Sequence, residues 1–300
     1  MAKQTPSSHR LIGTGSLLLV GILFGLSGVI AKYLSGSMNA YQVVEYRFAI
    51  ALLAAFGLVI ILRKKLQFGE HDKKSLILFA ISFPVSVILF TFAIFYTTVA
   101  LAVFSFYIAT LVSSFVLGRL FFGERIHIYK QTALMLVLLA IFVFTDPFGS
   151  STLGVGFIFG LLAGVVQGIA SSFQKKLSNT TDKLSLLVVQ TTAGVALSAT
   201  VLFATGQPLF VELSTSDWII AAVFGVSMLA ISYLFLVGFK YTNLNTGSIL
   251  VSSELLFGPL FAFLLLSETL GVHVIVGGLL TAAAAIFAHI AEPRKRQRKK

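Results

Sequence analysis

A single acidic residue lies inside one of the most apolar stretches of the chain. Glu254 falls about a third of the way along residues 247–268, a run about as long as a bilayer-spanning helix. A charged group near the bilayer centre costs about 2.5–3.5 kcal/mol, so the carboxyl group is expected to face protein or a cavity. On a helix it shares its face with Gly247, Gly258 and Ala262. This pattern favours a carboxylate that binds a substrate ammonium group or exchanges a proton, but a protonated packing residue is the alternative.

Other polar side chains in apolar stretches could share a substrate site with Glu254. Arg47 and Lys32 lie near the ends of their stretches, so each could contact lipid headgroups or bind substrate. Gln167 and Gln190 lie deeper, where interhelical hydrogen bonds or a polar substrate would satisfy the amide groups. The hydroxyl-bearing candidates are Tyr107 and Thr110.

Glycine residues recur at helical spacing in two stretches of the chain. The two sets are Gly21, Gly25, Gly28 and Gly160, Gly164, Gly168. Small residues four apart let helix backbones approach closely, so these faces are expected to pack tightly or to slide during a conformational change. Pro259 removes one backbone hydrogen bond and predicts a kink or local unwinding beside Gly258.

The sequence lacks the signatures of soluble enzymes. It has no HExxH, Walker or GxSxG motif, and its five histidines lie at helix ends or in loops without ligand spacing. It also has no cysteine, which excludes disulfides and thiolate metal sites. We therefore expect no catalytic residue, no metal site and no cofactor, and we expect that the protein is not an enzyme.

The composition predicts an integral membrane protein. The chain is 57% hydrophobic and 11% charged, with a mean hydropathy of +0.96, far from the composition of soluble domains. Uninterrupted apolar runs predict ten transmembrane helices. They span residues 11–34, 42–62, 75–96, 99–121, 127–145, 153–174, 185–205, 217–239, 246–267 and 272–290. Glu124 and Glu268, which follow the fourth and ninth runs, are expected to be solvated helix-end residues.

The positions of the basic residues predict the orientation of the chain. With both termini in the cytoplasm, 20 of the 22 Lys and Arg residues lie on the cytoplasmic side, and only Lys32 and Arg47 lie near the outer face. Residues 1–10 are then a cytoplasmic N-terminal tail, and 291–300 a basic cytoplasmic C-terminal tail. Beside a membrane helix, this tail is expected to contact anionic lipid rather than nucleic acid.

The chain repeats itself. Tyr96-Thr97 recurs 145 residues later as Tyr241-Thr242, and VVEYRFAIAL from residue 43 recurs at the same offset as VVQTTAGVAL. We infer two repeats, residues 11–145 and 152–290, with five helices each, and the odd number requires opposite orientations. The predicted fold is an all-α membrane protein with ten transmembrane helices in two five-helix inverted-topology repeats. At these offsets the position equivalent to Glu254 is Ala109 or Thr110, so the first repeat has no matching acid.

The segments ELLFGPLFAFLLLSE in the ninth helix and LGRLFFGE in the fourth resemble EamA-type permeases of the drug/metabolite transporter superfamily. The resemblance rests most on Glu254 and, fourteen residues later, Glu268, and it includes Arg47 in the second helix. Where that family often has proline directly after the first acid, this chain has Leu255. The resemblance implies a carrier of the bacterial or archaeal cytoplasmic membrane, commonly an exporter of amino acids, related metabolites or drugs.

The expected function is secondary-active export of a small molecule by alternating access, with proton coupling as one option. An integral membrane enzyme, a lipid-modifying or assembly protein and a channel are the alternatives. An enzyme acting on lipid needs a polar cluster at one interface, and a channel usually takes its symmetry from an oligomer, whereas this chain carries its symmetry internally. The expected partners are the substrate, the bilayer with anionic lipid at the basic loops and tail, and no nucleic acid. The chain is expected to be a monomer or a homodimer.

Overall fold

The computed structural model of the protein describes residues 6–67, 73–97, 99–144, 154–267 and 271–291, and within these ranges the chain is helical, without strands. Eleven helices make ten spans, because α9 and α10 together form one. The helices are α1 (Pro6–Leu34), α2 (Ala40–Ile61), α3 (Lys73–Tyr96), α4 (Val99–Phe122), α5 (Ile128–Phe144), α6 (Val155–Leu177), α7 (Lys183–Ala204), α8 (Thr215–Tyr241), α9 (Leu244–Val251), α10 (Glu254–Leu266) and α11 (Val272–Ala291).

The ten spans confirm the predicted all-helical membrane fold. Within the described ranges, nine stretches are long and apolar enough to cross a bilayer, and the remaining span, α5, is an apolar helix of 17 residues. Residues 1–5, Glu268 and most of the basic tail lie outside the described residues, so the predictions made for them stay predictions.

Side-chain caps begin several of the helices. Asn39 and Gln42 form a reciprocal capping box at the start of α2, with both hydrogen bonds 3.0 Å long. Asp182 caps α7 through the backbone N–H of Ser185, and Ser214 caps α8. Each cap satisfies an N–H group that the helix cannot, and these three helices begin two residues before the predicted runs.

The two halves of the chain pack against each other in symmetric pairs. Helix α4 packs on α6. The α9–α10 span, which is the counterpart of α4 in the second half, packs on α1, which is the counterpart of α6 in the first half. In the same way α3 packs on α6 and α8 packs on α1. The pairs α2–α7 and α5–α11 join equivalent helices directly. The repeats therefore form one interleaved bundle whose core contains residues of both halves.

Five of the six repeated glycines lie where helix backbones meet. A Cβ atom on Gly25 would lie 2.7 Å from the backbone nitrogen of Gly258, and one on Gly164 would lie 2.9 Å from that of Thr110. Gly21, Gly160 and Gly168 are similarly crowded. Gly28 differs, because a Cβ atom there would meet no described atom within 4 Å.

The ninth span tightens directly before Glu254, five residues ahead of Pro259, where the sequence predicted a kink or local unwinding. The backbone N–H of Ser253 bonds to the carbonyl of Leu250, and that of Leu255 bonds to Ser252. These bonds join residues three apart, as in a 3₁₀ turn, and they separate α9 from α10, whereas Pro259 lies inside α10. A mid-span turn of this kind often marks a hinge, and here it lies directly beside the acid.

Helix packing assigns Glu254 a different counterpart from the one that the sequence offset predicted. Gly160 lies against Ser105 of α4. The equivalent Gly21 lies against Ser253. The next residues are Phe106 and Glu254, so Phe106, and not Ala109 or Thr110, occupies the matching position in the first half. The first half still has no matching acid.

Candidate functional site

A cavity of about 340 Å³ lies between helices of both halves. It is lined by Phe24, Ser27, Gly28, Ala31, Lys32, Ser35, Arg47, Ser86, Val87, Phe90, Thr91, Ile94, Phe95, Phe106, Gln167 and Glu254. Its mouth is at the end of the bundle where α1 and α3 end, since Lys32, Ser35 and Phe95 are exposed. We call this the mouth end. The opposite end, where Lys64 and Arg125 lie in loops and Lys183 and Lys240 lie at helix ends, is the basic end.

Glu254 lies at the inner part of the cavity as the first residue of α10. Its carboxylate accepts a hydrogen bond from the hydroxyl group of Tyr107 in α4, a side chain that is only 1% exposed. The backbone N–H groups of Leu255, Leu256 and Phe257 bond to carbonyls of Ser252 and Ser253, so the tight turn links α9 and α10 directly at the acid.

Arg47 of α2 lines the same cavity. Its guanidinium carbon lies 4.1 Å from the ring centroid of Phe224, and Nη2 donates to the hydroxyl group of Ser27 at 3.4 Å. Its buried Nε has no hydrogen-bond partner within the described chain. Arg47 and Glu254 act on each other electrostatically, yet no direct ion pair of 4 Å or less joins them among the described residues. The cavity thus separates a basic and an acidic side chain that a bound molecule could bridge.

Aromatic rings form much of the remaining cavity wall. The rings of Phe90 and Phe106 pack with centroids 4.6 Å apart, and Phe24 lines the wall from α1. The amide of Gln167 also faces the cavity, and its Nε2 donates to Ser171 at 3.4 Å. A few polar groups set in an apolar wall are typical of a small-molecule site.

The other candidates take different positions. Lys32 lies at the cavity mouth. Thr110 lines a void of about 10 Å³ just inside the cavity, together with Tyr107, and its buried hydroxyl has no partner in the described part of the chain. Gln190 is not part of the cavity lining. It is fully buried in α7, where neither end of its amide has a described partner.

The basic end of the bundle is closed by a network that the sequence analysis missed. The carboxylate of Glu124 accepts hydrogen bonds from the backbone N–H groups of Leu244 at 2.6 Å and Asn245 at 3.1 Å, where α9 begins. It also lies 3.4 Å from the Nζ atom of Lys175, which donates to the carbonyl of Thr242 at 2.5 Å. The sequence suggested that Glu124 is a solvated helix-end residue. That prediction is wrong, because Glu124 is only 8% exposed.

The signal that could have identified Glu124 is its place in the repeat. It follows α4 in the LGRLFFGE segment, and α9, whose start it binds, is the counterpart of α4 in the second half. Only the packing of α4 beside α9 brings the carboxylate to the start of that helix.

This fold defines a class, the multi-pass membrane proteins built from two inverted five-helix repeats around a central cavity. The EamA-like transporter family matches the chain over residues 11–145 and again over 154–289. The chain belongs to the EamA-like transporter family, and it is a multi-pass membrane protein.

Relatives span nearly the whole chain. An uncharacterized transporter of Clostridium kluyveri is 22% identical over 296 residues, which covers 95% of each chain. An uncharacterized transporter of Archaeoglobus fulgidus is 23% identical over 278 residues, or 92% of this chain and 96% of the relative. A crystal structure that covers 95% of this chain and 99% of its own superposes with a TM-score of 0.76 at 15% identity, which supports the fold.

Proposed function

We propose that the protein is a secondary carrier that exports a small zwitterionic metabolite, of the amino-acid type, across the cytoplasmic membrane. The observation that carries this proposal is the placement of Arg47 and Glu254. They face one cavity, interact across it and make no direct ion pair among the described residues.

A zwitterion would satisfy both charges at once. Its ammonium group would bind Glu254, and its carboxylate would bind Arg47, whose Nη2 already approaches the hydroxyl group of Ser27. An apolar side chain would then lie against Phe90 and Phe106. The cavity volume of about 340 Å³ suits a molecule of this size.

The shape of the bundle supports alternating access. The cavity is open at the mouth end, while the contacts of Glu124 and Lys175 close the basic end. If the basic residues lie inside, as the positive-inside rule favours, both termini are cytoplasmic and the cavity faces outward. Export requires the opposite state, in which the network around Glu124 opens and admits substrate from the cytoplasm.

Proton coupling is a second role for Glu254 within the same mechanism. A carboxylate that is released by a leaving substrate could take up a proton and carry it in the opposite direction. The basic loops and tail would contact anionic lipid, with no role for nucleic acid. Since the cavity is lined by one chain, a monomer or a homodimer could carry out transport.

Counterflow in proteoliposomes tests this proposal. A thermal-shift screen of amino acids, nucleosides and cationic drugs first identifies a ligand, and labelled ligand is then exchanged against unlabelled ligand across the membrane. Wild-type protein should show trans-stimulated exchange, and Glu254→Gln and Arg47→Gln should lose at least about tenfold of it, because each removes a charge-assisted contact worth about 1.5–3 kcal/mol. Glu212→Gln and Arg125→Gln, at exposed positions, are the matched controls.

Three outcomes would contradict the proposal. Flux without trans-stimulation would indicate a channel. Chemical conversion of the ligand would indicate an enzyme. Wild-type exchange by Glu254→Gln, with unchanged pH dependence, would remove the carboxylate from the mechanism.

A further inference from the structure

A second groove, of about 760 Å³, lies on the outside of the bundle at its basic end, between α2, α7 and α8. Its membrane-facing part is apolar and exposed. Leu58, Val226 and Tyr233 are 39%, 50% and 48% exposed, respectively. In a membrane-spanning bundle, exposed apolar side chains of this kind contact lipid acyl chains. The groove is thus open to the bilayer along its length.

The rim of the groove is positively charged. Lys64, Lys183 and Lys240 line it, and Lys183 interacts electrostatically with both of the other lysines and with Asp182. The lining contains one carboxylate, that of Asp182. This group already accepts a hydrogen bond from the backbone N–H of Ser185 at 3.2 Å and pairs with Lys64 at 3.4 Å. Three lysines and one carboxylate leave the rim with a surplus of positive charge where the apolar groove meets the membrane surface.

A buried hydroxyl group adds a polar contact to the same rim. Thr181 lines the groove and is 9% exposed, and its Oγ1 atom has no hydrogen-bond partner in the described ranges. A hydroxyl group can donate to a phosphate oxygen. Two ammonium groups and one hydroxyl group at the head of an apolar groove match a phosphate that is attached to acyl chains.

We propose that this groove binds one anionic phospholipid. Its phosphate group binds Lys183 and Lys240 and accepts a hydrogen bond from Thr181, while an acyl chain lies along Val226 and Tyr233. A lipid with a choline headgroup would bring a further positive charge to a rim that already has a surplus. Because the groove is separate from the central cavity, the proposal is independent of the transported substrate. The bound lipid would join α2 of the first half to α7 and α8 of the second.

Native mass spectrometry of the purified full-length protein tests the charge of the site. Phosphatidylglycerol should bind the wild-type protein more tightly than phosphatidylcholine does. The double substitution Lys183→Gln/Lys240→Gln should weaken phosphatidylglycerol binding about fivefold for each lysine removed. The matched control is Lys73→Gln/Arg125→Gln, which removes two exposed basic residues from the same end and should leave this binding unchanged. Equal losses in the two variants would show charge attraction without a site and would overturn the proposal.

A second pair of variants tests the groove itself. Ala230 lines the groove and Ala222 lies elsewhere on α8, and both are exposed. Ala230→Trp should fill the groove and weaken phosphatidylglycerol binding several-fold, whereas Ala222→Trp should not. If glycerol 3-phosphate, which has no acyl chains, displaced the lipid at equal concentration, the groove would be a free-phosphate site and the lipid proposal would be wrong. Unchanged binding by Ala230→Trp would also overturn it.

Discussion

The hydroxyl group of Tyr107 donates a hydrogen bond to the carboxylate of Glu254, and so joins α4 of the first repeat to α10 of the second at the inner part of the cavity. The two residues are 147 positions apart in the chain. Tyr107 is buried and does not line the cavity, so the contact holds the carboxylate from within the helix bundle. Any movement of α4 relative to α10 must change it.

Tyr107→Phe tests this contact directly. The substitution keeps the ring but removes a hydrogen bond to a charged acceptor, a contact worth about 1.5–3 kcal/mol. We expect the KM for the transported ligand to rise about tenfold, since the carboxylate loses its orienting partner, and the Tm to fall by a few degrees, since a buried acceptor loses its hydrogen bond. Tyr129→Phe, at an exposed position of α5, is the control. An unchanged KM would show that Tyr107 serves packing alone.

Glu124→Gln should loosen the closed basic end. It removes the buried negative charge that faces Lys175 and weakens the acceptor for the N–H groups of Leu244 and Asn245. The chain contains no cysteine, so a single Ser248→Cys can report access to the void beside the cavity. We expect maleimide to label this cysteine several-fold faster in the Glu124→Gln background. Equal labelling rates in the Glu124→Gln and Glu212→Gln backgrounds would contradict the role of the network.

Gly164→Ala and Gly28→Ala form a matched pair. A Cβ atom at Gly164 would lie 2.9 Å from the backbone nitrogen of Thr110, whereas one at Gly28 would meet no described atom within 4 Å. Overpacking costs about 1–3 kcal/mol. Gly164→Ala should therefore lower the Tm in detergent by several degrees, and Gly28→Ala should leave it nearly unchanged. Equal Tm values would show that α4 and α6 can separate at no cost.

Gln190→Leu separates the two interpretations of the buried amide in α7. Neither end of this amide has a partner among the described residues, so its burial costs about 1–3 kcal/mol that leucine would not. We expect Gln190→Leu to raise the Tm and to leave transport unchanged. Loss of transport with an unchanged or higher Tm would instead place Gln190 on the substrate pathway.

Much of the fold was predictable from the sequence because lipid imposes a local rule. A span needs about 20 apolar residues, and each helix satisfies its own backbone, so apolar runs mark the spans without knowledge of their neighbours. The bounds of α3 and α4 agree with the predicted runs to within about two residues. The break between α9 and α10 was not predicted, because it depends on hydrogen bonds at Ser252 and Ser253 within an uninterrupted apolar run.

The candidate site was predictable only in part. A charged side chain inside an apolar run is costly in hydrocarbon, so its type and depth identified Glu254 and Arg47 as interior residues. Gln190 is uncharged and was a candidate only because of its depth, and it lies outside the cavity lining. Glu124 follows the end of α4 and lies outside the apolar run, so the sequence did not indicate that it is buried.

The sequence by itself determined the membrane class, the number of spans and the two inverted repeats, because hydropathy, charge and repeat spacing are properties of the chain in order. Only the tertiary structure decided that Arg47 and Glu254 face one cavity, that Tyr107 binds the acid, and that Phe106 is the counterpart of the acid. The rotation and register of each helix depend on how small residues let backbones approach. Spacing along one helix does not specify the face that a partner helix will cover.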